Sequence, residues 1–303
     1  SSGQRTADPC GLDRADAAGV VSVSTPIDGI RSHTVWCASY PKSGNTWVRS
    51  LAMALRTSEQ PDINRLGAEG HAGADLMRSL GLSPSDMEPV SAHAFVRLGW
   101  AIGSGIDDDA PTLRKTHTPW LPLADGYPEC WQPPDARAVY IVRDPRAVAV
   151  SWAHHIGHSH ADAVTIMETH KPGLAAHSGE EHHFHPGDWS VHVTSWMDQR
   201  DIPTLVIRYE DLTYEPQTTV RQLARWLDLP DDEQSVQAAV DACSFANLAS
   251  AEIVNGFAEA SAPDRVFFRR GEAEAWREEL AADLVERIEN QHGEVMRRLG
   301  YLE

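Results

Sequence analysis

The chain has 303 residues, of which 42% are hydrophobic, with ten tryptophans and a formal net charge of -18 at pH 7. So acidic a balance argues against nucleic acid or an anionic membrane as partner, since both require a basic face that releases counterions, and it disfavours long sulfated or uronic polysaccharides as substrates. No apolar run approaches the roughly 20 residues needed to cross a bilayer, and no Pro/Gly/Ser-rich linker divides the chain. The expectation is a soluble protein with one domain over residues 31–303, preceded by a flexible segment over 1–30.

That first segment carries small and charged residues but no apolar stretch preceded by positive charge, so it does not read as a secretory signal. Cys10, Cys37, Cys130 and Cys243 are widely scattered, which suits buried thiols in a reducing compartment, the cytoplasm. Along the chain, short apolar runs at 34–39, 137–142 and 204–208 read as buried strands, and 112–117 as a further short strand that ends in a histidine before Pro119. Helical periodicity is predicted at about 45–57, 145–156, 188–200, 215–228, 232–242 and 276–299. Trp276, Leu280, Leu284, Ile288, Val295 and Leu299 give the last helix a core-docking face. Strand and helix in alternation imply an α/β fold, a parallel β-sheet flanked by helices, with ligands at the carboxyl ends of the strands. Residues 58–111, rich in Gly, Ser and Asp, read as helical and loop cover over a site.

Residues 34–49 form an apolar strand that breaks at Pro41 and reopens as a helix past Gly44. The turn between them gathers free backbone N–H groups, the Lys42 ammonium and the hydroxyls of Ser43 and Thr46 around one point, a cradle for a phosphate or sulfate. It is not a Walker A loop, in which the lysine follows the second glycine, so a nucleotide kinase or ATPase is disfavoured. A second strand end, Val142-Arg143-Asp144-Pro145, offers an arginine fork for phosphate with Ser151 two helical turns on; the alternative is a structural Arg143–Asp144 ion pair. Three more strand-end or loop clusters follow: Lys115-Thr116-His117, Arg208-Tyr209-Glu210-Asp211 and Phe267-Phe268-Arg269-Arg270-Gly271. In so acidic a chain the last calls for an anion.

Taken together, Tyr40 to Trp47, Lys115 to His117, Arg143 to Arg146 with Ser151, Tyr209 to Asp211, Ser244-Phe245 and Arg269 to Gly271 resemble the cytosolic-type sulfotransferase family, whose fold is P-loop-like. The likeness covers about residues 34–280 in family order. Its members use 3'-phosphoadenosine 5'-phosphosulfate (PAPS) as sulfuryl donor and release adenosine 3',5'-bisphosphate (PAP). The resemblance implies that Lys42 contacts the oxygen bridging sulfate and phosphate, with Ser43, Gly44, Asn45 and Thr46 around the 5'-phosphate. It places Trp47, Tyr209 and Phe245 against adenine, with Ser244 beside them in the donor site. It assigns Arg143, Ser151, Arg269, Arg270 and Gly271 to the 3'-phosphate, His117 to the role of general base, and Lys115 to the transferring group. In-line sulfuryl transfer asks the protein mainly to position reactants and neutralise charge, and it requires no metal.

This sequence departs from the family at Asn45 and Cys243, where threonines are usual, at Arg270 for lysine, and at Glu274-Ala275-Trp276 for Gly-Asp-Trp. The dimerisation pattern of animal members is missing after Trp276, so no dimer is inferred. Ten of fifteen histidines fall between residues 154 and 192, among them His154, His155, His158, His160, His182, His183 and His185. Their spacing matches no closed zinc signature and no cysteine lies nearby, so a metal site is disfavoured. The stretch is either loop alone or, as it precedes Gly187-Asp188-Trp189, which resembles the family's Gly-Ser-Trp helix start beside the acceptor pocket, in contact with the acceptor. Asp188 or Ser190 can cap the helix that follows. The expectation is a sulfotransferase acting on a hydroxyl of a small phenol, alcohol or natural product. The rival readings are a kinase of related fold and a catalytically silent adenine-nucleotide-binding protein.

Overall fold

The computed structural model describes residues 34–66, 112–122, 128, 130, 136–169, 173–174, 184–262 and 265–303. The segment 1–30, most of the predicted cover (67–111), Cys10, and His170, His177, His182 and His183 lie outside the described residues. Four parallel strands form the main sheet: β1 (Thr34–Ser39), β2 (Thr112–Thr116), β3 (Arg137–Val142) and, later in the chain, β6 (Thr204–Arg208), in the spatial order β2-β1-β3-β6. Val35 pairs with both Leu113 and Arg137, and Ala138 with Thr204. The short β4 (Gly173–Leu174) and β5 (Phe184–His185) pair antiparallel apart from it.

Each central strand is apolar on both faces because both faces are covered. Successive side chains point to opposite sides. Trp36, Ala38, Ala138, Tyr140 and Val142 therefore face one helical layer: α2 (Pro145–Ile156), α3 (His160–Met167), α4 (Trp189–Asp198) and α10 (Ala282–Arg298). Val35, Cys37, Val139, Ile141, Leu205 and Ile207 face the other, built from α1 (Asn45–Thr57), α6 (Pro216–Trp226) and α7 (Glu233–Ala242). The chain runs from β1 outward to β2 and returns on the other side of β1 as β3. The strand order thus reverses between β1 and β3, and loops leaving such a switch point diverge to leave a crevice.

Strands 34–39, 137–142 and 204–208 and helices 45–57 and 145–156 fall where expected. Asp188 caps α4, its carboxylate accepting from the Val191 N–H at 2.9 Å. The single helix expected over 276–299 is divided instead. α9 (Trp276–Glu279) stops at Leu280, whose ψ of 128° is extended, before α10 begins. Tertiary contacts override local propensity here: Arg146 lies 4.0 Å over Trp276, while Glu278 and Glu279 turn to Arg270 and Arg269. The apolar face named for that helix is buried all the same. The histidine-rich stretch is less of a loop than expected, since α3 is launched by a capping box between Ser159 and Asp162. Two further helices were not expected: α5 (Tyr209–Tyr214) and α8 (Phe245–Asn255).

Candidate active site

The turn after β1 carries the strained backbone. Lys42 has φ 66° and Gly44 φ 108°, both left-handed. Lys42 adopts this at a steric cost that an ordinary turn would avoid. At position 44 a Cβ would lie 2.8 Å from Tyr209 Cδ2, so only glycine fits. α1 then opens without a side-chain cap, and its first N–H groups and positive dipole end remain for an anion. The Ser43 hydroxyl is fully buried beneath this turn without a hydrogen-bond partner, as is Arg143 Nε. Unpaired polar atoms of this kind beside a helix N-terminus fit a phosphosulfate group.

A cavity of about 770 Å³ opens above the turn, within the size range of sites that enclose a nucleotide or drug-sized ligand. Lys42 Nζ sits 3.4 Å over the Phe267 ring. Burial, reinforced by Arg143 and Lys115, lowers its pKa from 10.5 to about 7. Lys115 Nζ is 2.8 Å from the Glu259 carboxylate. Arg143 lies 4.0 Å over the Tyr209 ring, with its fork on the carbonyls of Lys42 (3.2 Å) and Glu272 (3.3 Å).

The alternative of an Arg143–Asp144 ion pair is not what forms. Asp144 pairs with Arg146 at 2.7 Å and caps α2, so Arg143 faces the cavity. Arg269 makes two bonds to Glu279, and Arg270 is shared among Glu272, Glu278 and Glu279. Gly271, with φ 70°, keeps the chain clear of Phe245, which a Cβ would approach to 2.2 Å.

His117 follows β2. Its Nδ1 lies 2.8 Å from the Ser39 carbonyl oxygen. A carbonyl only accepts, so Nδ1 carries the proton and the Nε2 lone pair is left bare. Burial, then the Lys115 charge, lowers the imidazole pKa to about 3, so the ring is neutral near pH 7. Its backbone is anchored by a residue the sequence did not single out for this purpose. Buried His192 bonds the His117 carbonyl through Nε2 (2.9 Å) and Tyr140 Oη through Nδ1 (2.9 Å).

The cavity brings together Lys42, Gly44, Asn45, Thr46, Trp47, Lys115, His117, Arg143, Ser151, Tyr209, Phe245, Arg269, Arg270 and Gly271. Ser43 is buried and does not line it. Ser244 caps α8, accepting from the Asn247 N–H at 3.4 Å, and does not line the cavity. The Asn45 amide is likewise committed elsewhere, donating to the Cys37 carbonyl at 2.7 Å and accepting from Arg49 at 2.9 Å. Trp47 is set edge-on to Tyr209 by a bond from its indole N–H to the Cys243 carbonyl at 2.9 Å. Position 243 thus serves through its backbone, while its thiol is buried.

Residues 154–158 of the histidine-rich stretch reach the same cavity through His155 and His158, beside Trp152, Ile156 and Ile166. Glu259 and Arg49 were not foreseen. Arg49 alone left a trace in the sequence, a charge on the apolar face of α1 beside Val48 and Ala52.

The sulfotransferase domain family matches residues 32–300. Cytosolic sulfotransferase 14 of Arabidopsis thaliana is 28% identical over 261 residues, covering 83% of this chain and 71% of the relative. Flavonol 4'-sulfotransferase of Flaveria chlorifolia is 24% identical, covering 86% of this chain and 78% of its own. Retinol dehydratase, solved in complex with retinol and PAP, shares the fold with a TM-score of 0.61 at 18% identity, covering 88% of this chain and 82% of its own. The chain belongs to the sulfotransferase domain family, whose sulfuryl donor is PAPS.

Proposed function

We propose that the chain transfers the sulfuryl group of PAPS to a hydroxyl of a small acceptor, with Lys42, Lys115 and His117 as its catalytic residues. The observation that carries this reading is the convergence, in one cavity, of an anion cradle, a neutral imidazole with a bare Nε2, and an arginine cluster. Ser43, Gly44, Asn45 and Thr46 hold the 5'-phosphate, Asn45 through its backbone alone. Arg143, Ser151, Arg269, Arg270 and Gly271 hold the 3'-phosphate. Trp47, Tyr209 and Phe245 enclose adenine, and Ser244 acts indirectly by starting the helix that carries Phe245.

The acceptor hydroxyl gives its proton to His117 Nε2 as its oxygen bonds to sulfur. The bond from sulfur to the bridging phosphate oxygen breaks, and Lys42 stabilises the charge left on that oxygen. Lys115 offsets charge on the group in flight. No residue is asked to hold a metal.

The acceptor side is lined by Trp152, His155, Ile156, Ile166 and Phe267. That surface suits a flat or apolar phenol, alcohol or natural product rather than a polymer, a nucleic acid or a membrane. The names of relatives, flavonol sulfotransferase among them, point the same way. The cytoplasm is the proposed location, supported by the buried thiols of Cys37, Cys130 and Cys243. Among the described residues no helix is long and apolar enough to cross a membrane.

Incubation with sulfur-labelled PAPS and a panel of phenols and alcohols tests the reading. Label moving to at least one acceptor, and none moving in the His117→Ala protein, is the expected result. A protein that binds PAP yet transfers to no acceptor would be the silent nucleotide-binding protein instead.

A further inference from the structure

Glu259 lies in the turn that follows α8. Its carboxylate does not face solvent; its side chain is 12% exposed and lines the cavity. It bonds Lys115 Nζ at 2.8 Å and Arg49 Nη2, and meets the Thr46 hydroxyl at 3.4 Å. Burial favours the neutral acid, but Lys115 and Arg49 outweigh it and hold the group ionised, with a pKa of about 2. The turn itself is tied down: Asn64 accepts from the Ala258 N–H at 2.8 Å and donates to the Gly256 carbonyl at 3.1 Å. Thr46 and Lys115 are the side chains that the proposed function gives to the 5'-phosphate and to the group in flight.

We propose that Glu259 is an internal competitor in the donor site, a carboxylate that occupies the position between Thr46 and Lys115 and lowers affinity for the 5'-anion of the nucleotide. The inference rests on the reading of this cavity as the donor site. A fixed negative charge and an incoming phosphate cannot share Lys115 without mutual repulsion. A ligand with an anion at its 5' end must therefore displace the carboxylate, whereas one without such a group leaves it in place. Chemical discrimination follows: part of the attraction that Lys42, Lys115 and the α1 N-terminus exert on any 5'-phosphate is cancelled in advance. Only ligands that also engage Arg143, Arg269 and Arg270 through a 3'-phosphate bind well. The penalty falls on every 5'-anion ligand alike, so it weakens PAP relative to adenosine 3'-monophosphate and leaves the preference for PAP over AMP to the 3'-phosphate contacts.

Calorimetric titration of wild type, Glu259→Gln and Glu259→Asp with PAP and with adenosine 3'-monophosphate tests this. The glutamine keeps the shape and can still accept from Lys115, but it removes the charge. The aspartate keeps the charge and withdraws it by one methylene. We expect Glu259→Gln to bind PAP about tenfold more tightly than wild type, with an intermediate gain for Glu259→Asp. Adenosine 3'-monophosphate, which has no 5'-anion, should bind all three proteins within about twofold. Unchanged or weakened PAP affinity in Glu259→Gln would overturn the proposal, as would an equal gain for both nucleotides. A loss of turnover with PAP affinity unchanged would also overturn it, making Glu259 a positioning residue for Lys115. Failure of wild type to bind PAP would instead strike the donor reading itself.

Discussion

His117 Nδ1 stands 2.8 Å from the carbonyl oxygen of Ser39, the last residue of β1. The strand end that launches the anion cradle therefore also sets the tautomer of the imidazole, so that cradle and proposed base are placed by one piece of backbone. Replacing His117 by alanine should abolish transfer while leaving PAP affinity within about threefold, because the ring touches the acceptor side. Its pKa of about 3, against an ordinary 6.5, keeps it neutral at physiological pH. The kcat at saturating substrates should therefore show no acid-side loss centred near 6.5. An acid-side loss centred there would mean that the imidazole is far less shielded than the structure has it.

Lys42 links donor binding to protons. With its pKa pulled down to about 7 by burial, Arg143 and Lys115, it is mostly neutral at pH 8 and charged at pH 6. An anion bound in the cradle raises that pKa again. Between 7 and the raised value, binding takes up a proton, so PAP affinity should fall as pH rises, by at most about tenfold per unit. Calorimetry at about pH 8 in buffers of different ionisation heat should report uptake approaching one proton. The uptake should vanish in Lys42→Met. Equal uptake in that variant would assign the proton to another group.

Gly44 stands where an added Cβ would meet the Tyr209 ring. Gly44→Ala puts a Cβ 2.8 Å from Tyr209 in a backbone with φ 108°, and both contacts must yield. We expect a loss of about 1–3 kcal/mol in stability, read from denaturant midpoints. PAP binding should weaken at least tenfold as Tyr209 moves. A variant as stable and as tight-binding as wild type would show that the turn accommodates a side chain.

Asp188 holds the start of α4, the helix that supplies His192. Asp188→Ala should cost about 1 kcal/mol, as loss of an N-cap does, and should lower kcat more than it weakens PAP binding, because His192 anchors the His117 carbonyl. A fall in PAP affinity matching the fall in kcat would uncouple α4 from the base.

Much of this was legible in the sequence for definite physical reasons. Val35 to Ala38 and Ala138 to Val142 are buried on both faces, and buried parallel strands are unbroken apolar runs that end where Pro41 or Asp144 appears. The cradle was legible because a tight turn between such a strand and a helix has few sequence solutions. Contacts distant in sequence left no such mark. Glu259 is a single acid in a turn, given meaning by Thr46, 213 residues away. The break at Leu280 reflects Arg269, Arg270 and Arg146 pulling on one short helix. α3 is different: the Ser159–Asp162 capping signal was present, and the surrounding histidines and glycine obscured it. Ser244 shows the limit of motif reading: its hydroxyl caps a helix, and it does not line the cavity.

The donor assignment is the claim on which the others depend, and ligand-induced thermal stabilisation tests it most directly. At matched concentrations, PAP should raise the melting temperature well above the shifts given by AMP or ATP, because of the three only PAP has a 3'-phosphate for the site proposed at Arg143, Ser151, Arg269 and Arg270 as well as a 5'-phosphate for the cradle. Equal shifts for the three nucleotides would contradict the account.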